Sequence, residues 1–315
     1  MNKQFAQDVE RGLSGSPKRL SSKYFYDEAG DKLFQAIMNL PEYYLSRSEY
    51  EILEMHREQL LRCFAGSGEA FNLLEFGAGD GFKTKVLLRY FSEKQIPFRY
   101  VPVDISGNIL RQLAASLQEE LPVLEVEPVE DDYFQALKKV KETTGRRSVV
   151  LFMGSNIGNF SEEETISFLG KLYENLNKGD LLLTGFDLKK DPDQVRLAYN
   201  DSGGITRAFN MNLLKRINEE LGGEFNLEKF KHYPMYNPVT GEARSFLMSR
   251  EKQEVRIKEL GRSFSFEAWE PVHVEISRKY DLPSIEEYAR RSGFAVVKHF
   301  FDCKHYFVDS LWEKK

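Results

Sequence analysis

The chain has 315 residues, 41% hydrophobic and 30% charged, with a formal net charge of -5. That is long enough for one large domain or two ordinary ones, and the acidic balance, relieved only by short runs such as Lys138-Lys139 and Arg146-Arg147, offers nucleic acid no basic footprint. No apolar run approaches membrane-spanning length and the first residues lack the apolar stretch of a signal peptide, so a cytoplasmic protein with no membrane partner is expected.

Cys63 and Cys303 stand far apart without a C-x-x-C pattern, which argues against a disulfide framework. The histidines at 56, 232, 273, 299 and 305 show no metal-ligand spacing, and no metal is expected.

Residues 1–20 are polar and read as a loosely held arm. From Ser21 the chain turns aromatic with Tyr24, Phe25 and Tyr26, and Asp27 is placed to cap a helix that carries Leu33, Phe34, Ile37 and Met38 on one face. Pro41 ends that helix. Glu42-Tyr43-Tyr44-Leu45 forms a connector, and Ser46-Arg47-Ser48-Glu49 reads as a capping box opening a helix through about Cys63.

Leu73-Leu74-Glu75-Phe76-Gly77-Ala78-Gly79-Asp80-Gly81 then reads as a strand, a tight turn and, from Phe82 onward, a helix. The glycines let the backbone take positive φ and lie against a ligand where a Cβ would collide. Their G-x-G-x-G spacing is neither the dinucleotide fingerprint nor a phosphate loop, so the ligand need not carry phosphates. A carboxylate closing the strand, Glu75, suits a sulfonium, an ammonium or sugar hydroxyls, and S-adenosylmethionine has all three.

A regular alternation follows. Arg99–Asp104 reads as a second strand, followed by a helix with Ile109, Leu110, Leu113 and Leu117; Leu124–Glu127 is a weak third strand with Asp131-Asp132-Tyr133-Phe134 at its exit. Ser148–Met153 and Asp180–Asp187 are buried fourth and fifth strands, with a helix capped by Ser161 and Glu164 between them. This spacing builds a doubly wound parallel sheet of the α/β class, whose ligands lie at the carboxyl ends of the strands. Asp104 falls about 20 residues past the glycines, where an acid accepts ribose hydroxyls in nicotinamide and methyl-transfer enzymes alike. Asp132 with Tyr133 suits an adenine, or equally a helix cap beside a core aromatic.

After Asp187 the alternation stops. Residues 190–280 carry a helix with Phe209, Leu213, Ile217 and Leu221 on one stripe, stopped by Gly222-Gly223, and short strand-like runs over 244–250, 253–257 and 272–280. Ser284 and Glu287 are placed to cap a last helix, and 295–302 with 305–311 read as an antiparallel hairpin, a sheet ending that fits class I methyltransferases better than nucleotide dehydrogenases.

Five motifs in order then resemble one family. Ser22-Lys23-Tyr24-Phe25-Tyr26-Asp27, Leu40-Pro41-Glu42-Tyr43-Tyr44, the glycine turn, Gly154-Ser155-Asn156-Ile157-Gly158-Asn159-Phe160 and Val274-Glu275-Ile276-Ser277 together resemble the histidine Nα-methyltransferases of ergothioneine biosynthesis, from about Ser21 to the C-terminus. The resemblance implies a class I S-adenosylmethionine-dependent methyltransferase, with a Rossmann-like domain over 54–189 and 280–315 and an α+β substrate domain over 1–53 and 190–279. It implies trimethylation of the α-amino group of L-histidine to hercynine; separately, a monomer is expected.

Residue by residue, the resemblance implies that Tyr26, Gly77, Lys83, Asp104, Asp132 and Tyr133 touch S-adenosylmethionine. It also implies that Tyr43, Asn159 and Tyr199 hold the substrate's α-amino and carboxylate groups, with Tyr43 and Asn159 carrying catalysis, while Glu275 and Ser277 bind the imidazole. Residues two apart on a strand share a face, so Glu275 and Ser277 can act together. The family often sets a methionine against the imidazole where this chain has Ser245. Methylation of another amino acid of tryptophan type, a nicotinamide-dependent oxidoreductase and a noncatalytic S-adenosylmethionine-binding protein stay open as alternatives.

Overall fold

The computed structural model describes residues 3–66, 68–143 and 145–315. The chain divides into two compact units: Leu45–Lys189 with Lys279–Lys315, and Met1–Tyr44 with Lys190–Arg278.

The first unit is built on an 8-stranded sheet. Its strands run in the order Phe294–Phe301, Phe307–Lys314, Leu181–Asp187, Arg147–Phe152, Phe71–Phe76, Phe98–Asp104 and Glu125–Val126, with Val129–Glu130 also paired to Phe98–Asp104. The strands from Leu181–Asp187 to Glu125–Val126 are parallel, and the C-terminal hairpin joins antiparallel to Leu181–Asp187. Every residue of Phe71–Phe76 and Leu181–Asp187 is buried, as a strand covered on both faces must be. Helices Glu162–Asn175 and Leu282–Arg291 supply Phe168, Leu169, Leu172, Ile285 and Ala289 to a core shared with Phe152, Phe186 and Trp312.

Strand order reverses beside Phe71–Phe76: the next strand in sequence lies on one side, and Arg147–Phe152 on the other. The turns leaving these two strands, at Gly77 and Gly154, therefore flank the switch-point crevice where such sheets bind ligands.

The second unit holds a 3-stranded antiparallel sheet, Pro271–Arg278, Glu242–Ser249 and Phe230–Asn237, and a 2-stranded one, Gln253–Ile257 with Arg262–Phe266. Of these, Phe230–Asn237 and Arg262–Phe266 are not among the strand-like runs expected from the sequence. Helix Ile205–Leu221 buries Phe209, Leu213, Ile217 and Leu221 against this unit's core and ends on Gly222 at φ 60°.

Four expectations change. The N-terminal segment is not a loose arm: Lys3–Ser14 is a helix that buries Phe5, Ala6, Val9 and Leu13, residues spaced for one helical face. The boundary expected after residue 53 would cut the continuous helix Leu45–Ala65, and the division falls at Tyr44–Leu45 instead. That helix starts before Ser46, so Glu49 is not its capping carboxylate but lies on the buried face with Leu45, Ser48, Ile52 and Leu53. At the last helix, Asp281 is the cap and Ser284 its reciprocal partner.

Candidate active site

The glycine turn follows from a strand that runs into a left-handed bend. Gly77, Gly79 and Gly81 have φ of 70°, 54° and 67°, a region that strains side-chain-bearing residues. A Cβ on Gly77 would lie 3.3 Å from Tyr133 Oη and 3.6 Å from Asn156 Nδ2, and one on Gly81 would meet Leu113 Cδ1 at 2.6 Å. Positive φ thus disfavours a side chain at all three positions, and at Gly81 the packing of Leu113 excludes one as well.

Two of the expected residues, Asp104 and Tyr133, lie against the glycine turn. Asp104 ends the neighbouring strand, its Oδ2 accepting the Gly79 N–H at 3.4 Å and its Oδ1 the Ser106 N–H at 3.0 Å. Tyr133 stacks on Phe76, with ring centroids 4.6 Å apart and planes 5° from parallel. Burial, with the Asp104 charge nearby, pushes the Tyr133 pKa up to about 12, so it acts as a neutral phenol. Asp132 Oδ1 accepts the Phe134 and Gln135 N–H groups at 3.0 and 3.1 Å. The helix-cap reading of Asp132 is thus realised, through one carboxylate oxygen.

Glu75 behaves differently from its sequence reading. It is 5% exposed, and it accepts a hydrogen bond of 2.5 Å from Thr84 Oγ1 and another from Tyr100 Oη. Burial raises its pKa to about 7 against the opposing hydrogen bonds from Thr84 and Tyr100 and the charge of Lys83. The carboxyl braces the glycine turn from within, because Thr84 stands just past the turn and Tyr100 on the next strand.

Lys83 is paired with Glu49, whose carboxylate is fully buried. Glu49 Oε1 and Oε2 also accept the Gly154 N–H at 2.7 and 3.0 Å. Asn159 ends the short 3-10 turn Asn156–Asn159 that follows, and it is exposed. Sequence reading missed Glu49 and left Asn156 without a role. The available signal for Glu49 was its place on the apolar stripe of its helix, where a charge requires a partner.

The other expected residues belong to the second unit. Tyr199 Oη donates to Ser277 Oγ at 2.7 Å, and both residues are buried. Ser245 Oγ donates to Glu275 Oε2 at 2.9 Å, across strands on which these two residues are direct partners. A β-bulge between His273 and Glu275 sets this register. Tyr43 meets Phe34 edge-on at 6.3 Å, while Tyr26, 47% exposed, is edge-on to Phe34 and Phe209 at 5.6 and 5.7 Å. The expected substrate residues are thus divided: Tyr43, Tyr199, Glu275 and Ser277 in this unit, Asn159 in the other. The expected cofactor residues divide likewise, with Tyr26 here and Gly77, Lys83, Asp104, Asp132 and Tyr133 in the sheet unit.

A doubly wound sheet with a C-terminal antiparallel hairpin, a glycine cradle at its switch point and an acid at the end of the next strand defines a class I S-adenosylmethionine-dependent methyltransferase. Within that class, a family model described as "Histidine-specific methyltransferase, SAM-dependent" matches residues 5–314, and the chain belongs to this family. It is 37% identical over 274 residues to a histidine N-alpha-methyltransferase of Mycolicibacterium smegmatis, covering 87% of this chain and 84% of that protein. It is 35% identical over 296 residues to a histidine N-alpha-methyltransferase of Mycobacterium tuberculosis, covering 94% and 90%. More distantly, it is 27% identical over 323 residues to an L-tryptophan methyltransferase of Psilocybe serbica, covering 94% and 89%. Among the described residues no group of three or more His, Cys, Asp or Glu could hold a metal, and no helix is long and apolar enough to cross a membrane.

Proposed function

We propose that the protein transfers three methyl groups in succession to the α-amino nitrogen of L-histidine, giving hercynine. The observation that carries this reading is the paired side chains of one strand, Glu275 fixed by Ser245 and Ser277 fixed by Tyr199. A carboxylate and a hydroxyl held on one strand face match the two nitrogens of an imidazole, one a donor and one an acceptor. A site built on such polar bonds leaves its own groups unpaired with an apolar side chain, which is how it discriminates.

S-adenosylmethionine supplies a methyl carbon made electrophilic by its sulfonium. Gly77 lets the cradle backbone approach the donor, Asp104 accepts from its ribose, and Asp132 and Tyr133 bound its adenine. Lys83 pairs with its carboxylate, and Tyr26 completes this set. Tyr43, Asn159 and Tyr199 orient the amine and carboxylate of the amino acid, and Tyr43 and Asn159 direct the nitrogen lone pair along the line of displacement. Catalysis is mainly positioning and exclusion of water. The ammonium proton leaves before each attack, and no dedicated base is assigned.

Ser245 favours a second reading, slow methylation of bulkier tryptophan-type amino acids, because a serine occupies less volume beside the ring than a methionine. We further propose a monomeric cytoplasmic enzyme without nucleic-acid or membrane partners, which the net charge of -5 supports. The test is mass spectrometry of products from a panel of amino acids with S-adenosylmethionine. Trimethylated histidine as the leading product is expected; a panel in which histidine stays unmethylated while another amino acid is used would overturn the reading.

A further inference from the structure

A second buried acid stands beside Glu49 in the sheet unit. A Cβ on Gly185 would lie 2.2 Å from Glu49 Oε1 and 3.2 Å from Asp309 Oδ1, so the two carboxyls meet over a position where only glycine fits. Asp309 is fully buried, and burial together with the Glu49 charge pushes its pKa well above the carboxylate range, so it is held as the neutral acid. Burial works against the Lys83 ammonium, but Glu49 outweighs this and holds its pKa above the ordinary value. Lys83 and Glu49 therefore form an ion pair beside a second carboxyl that burial and the Glu49 charge disfavour as an anion.

Its place matters. Glu49 links the residue just past the glycine turn, Lys83, to the backbone of the turn leaving the neighbouring strand, Gly154. Lys83 Nζ and Asn156 Nδ2 both lie 3.6 Å from where a Cβ on Gly154 would be, so the two side chains reach the same space. A Cβ on Gly77 would likewise lie 3.6 Å from Asn156 Nδ2. An untethered lysine samples many rotamers, whereas one pinned by a buried carboxylate keeps its remaining N–H groups aimed in one direction.

We propose that Glu49 is a positioning residue of the methyl-donor site: it pins Lys83 against the Gly154 turn so that the ammonium offers a fixed N–H to the carboxylate of S-adenosylmethionine. That carboxylate is the donor's only anion, and its sulfonium and ammonium would be repelled by a lysine. Without Glu49 a full positive charge would stand near the sulfonium; with it, the local charge is balanced. The inference rests on Lys83 being a contact of the methyl donor.

The experiment is a double-mutant cycle on the intact protein, with the dissociation constant of S-adenosylhomocysteine, which keeps the same carboxylate, read by calorimetry. Lys83→Met should weaken binding about tenfold or more, the loss of a charge-assisted bond. Glu49→Gln, which keeps an acceptor for the Gly154 N–H, should weaken it by a similar factor. In the Lys83→Met background, Glu49→Gln should then add nothing, since its action passes through Lys83. A loss from Glu49→Gln that is the same in both backgrounds would show that Glu49 serves only the fold or the Gly154 turn, and would overturn the proposal. Wild-type affinity in Lys83→Met would instead remove Lys83 from the donor site, a separate failure. If Glu49→Gln does not fold, Glu49→Asp, which keeps the charge one methylene further back, takes its place in the same cycle.

Discussion

Ser245 Oγ donates to Glu275 Oε2 at 2.9 Å across two antiparallel strands, a polar contact that orients the carboxylate. Ser245 is 1% exposed, so its hydroxyl would be desolvated without this partner.

The first prediction follows from that pair. Glu275→Ala should cost about 2–4 kcal/mol in kcat/KM for histidine, a charge-assisted bond removed while the imidazole stays desolvated. Ser245→Ala should cost about 1 kcal/mol, because the carboxylate survives but loses one orienting bond. Tryptophan should lose less than histidine in Glu275→Ala, or gain. Steady-state kinetics on both amino acids decides it, and an equal loss for the two would mean that Glu275 does not read the side chain.

A second prediction concerns the methyl donor. Asp104 already accepts two backbone N–H groups, which fix its carboxylate at the strand end before any ligand arrives. Asp104→Ala should weaken donor binding by about 1–3 kcal/mol, a few-fold to over a hundredfold. Unchanged affinity by calorimetry would take Asp104 out of the ribose site.

The sheet unit was legible because its signals are local and repeated. Buried strands such as Ser148–Met153, the capping box of Ser161 and Glu164, and the glycine turn all carry their geometry in a few consecutive residues. Phe230–Asn237 was not legible: Pro234 stands in its middle, where a proline reads as a strand breaker. Glu49 was misread for a related reason. Ser46 and Glu49 have capping-box spacing, and only the tertiary partners Lys83 and Gly154 reveal that this carboxylate faces inward. Glu75 was placed correctly at the strand end, but the direction of its side chain depends on Thr84 and Tyr100, which periodicity does not bring together.

A third prediction tests whether the two ends of the substrate are read independently. Tyr199, assigned to the amino-acid end, donates to Ser277, assigned to the imidazole, at 2.7 Å between buried groups. Tyr199→Phe and Ser277→Ala should therefore be non-additive in kcat/KM for histidine, with a coupling of about 0.5–3 kcal/mol. Additive losses would mean that the bond contributes nothing to recognition.

The last prediction turns on Glu75 and pH. Its folded pKa is raised from 4.5 to about 7, chiefly by burial. The folded chain thus holds this proton more tightly than the unfolded chain, and between those two values the native state binds more protons. Stability from this group is then full below the unfolded value, falls as pH rises through the window, and levels off above about 7. The full cost above the window is on the order of 3 kcal/mol, from about 1.4 kcal/mol per pKa unit. Glu75→Gln removes the titration while keeping an acceptor for Thr84 and a donor for the Tyr100 oxygen. The variant should therefore gain on wild type as pH rises: little difference in Tm near pH 4, and a higher Tm than wild type at pH 8. Differential scanning calorimetry of both proteins at the two pH values isolates the group, because the other titrating residues cancel in the comparison. A Tm gap independent of pH would mean that the Glu75 carboxyl keeps an ordinary pKa in the folded protein.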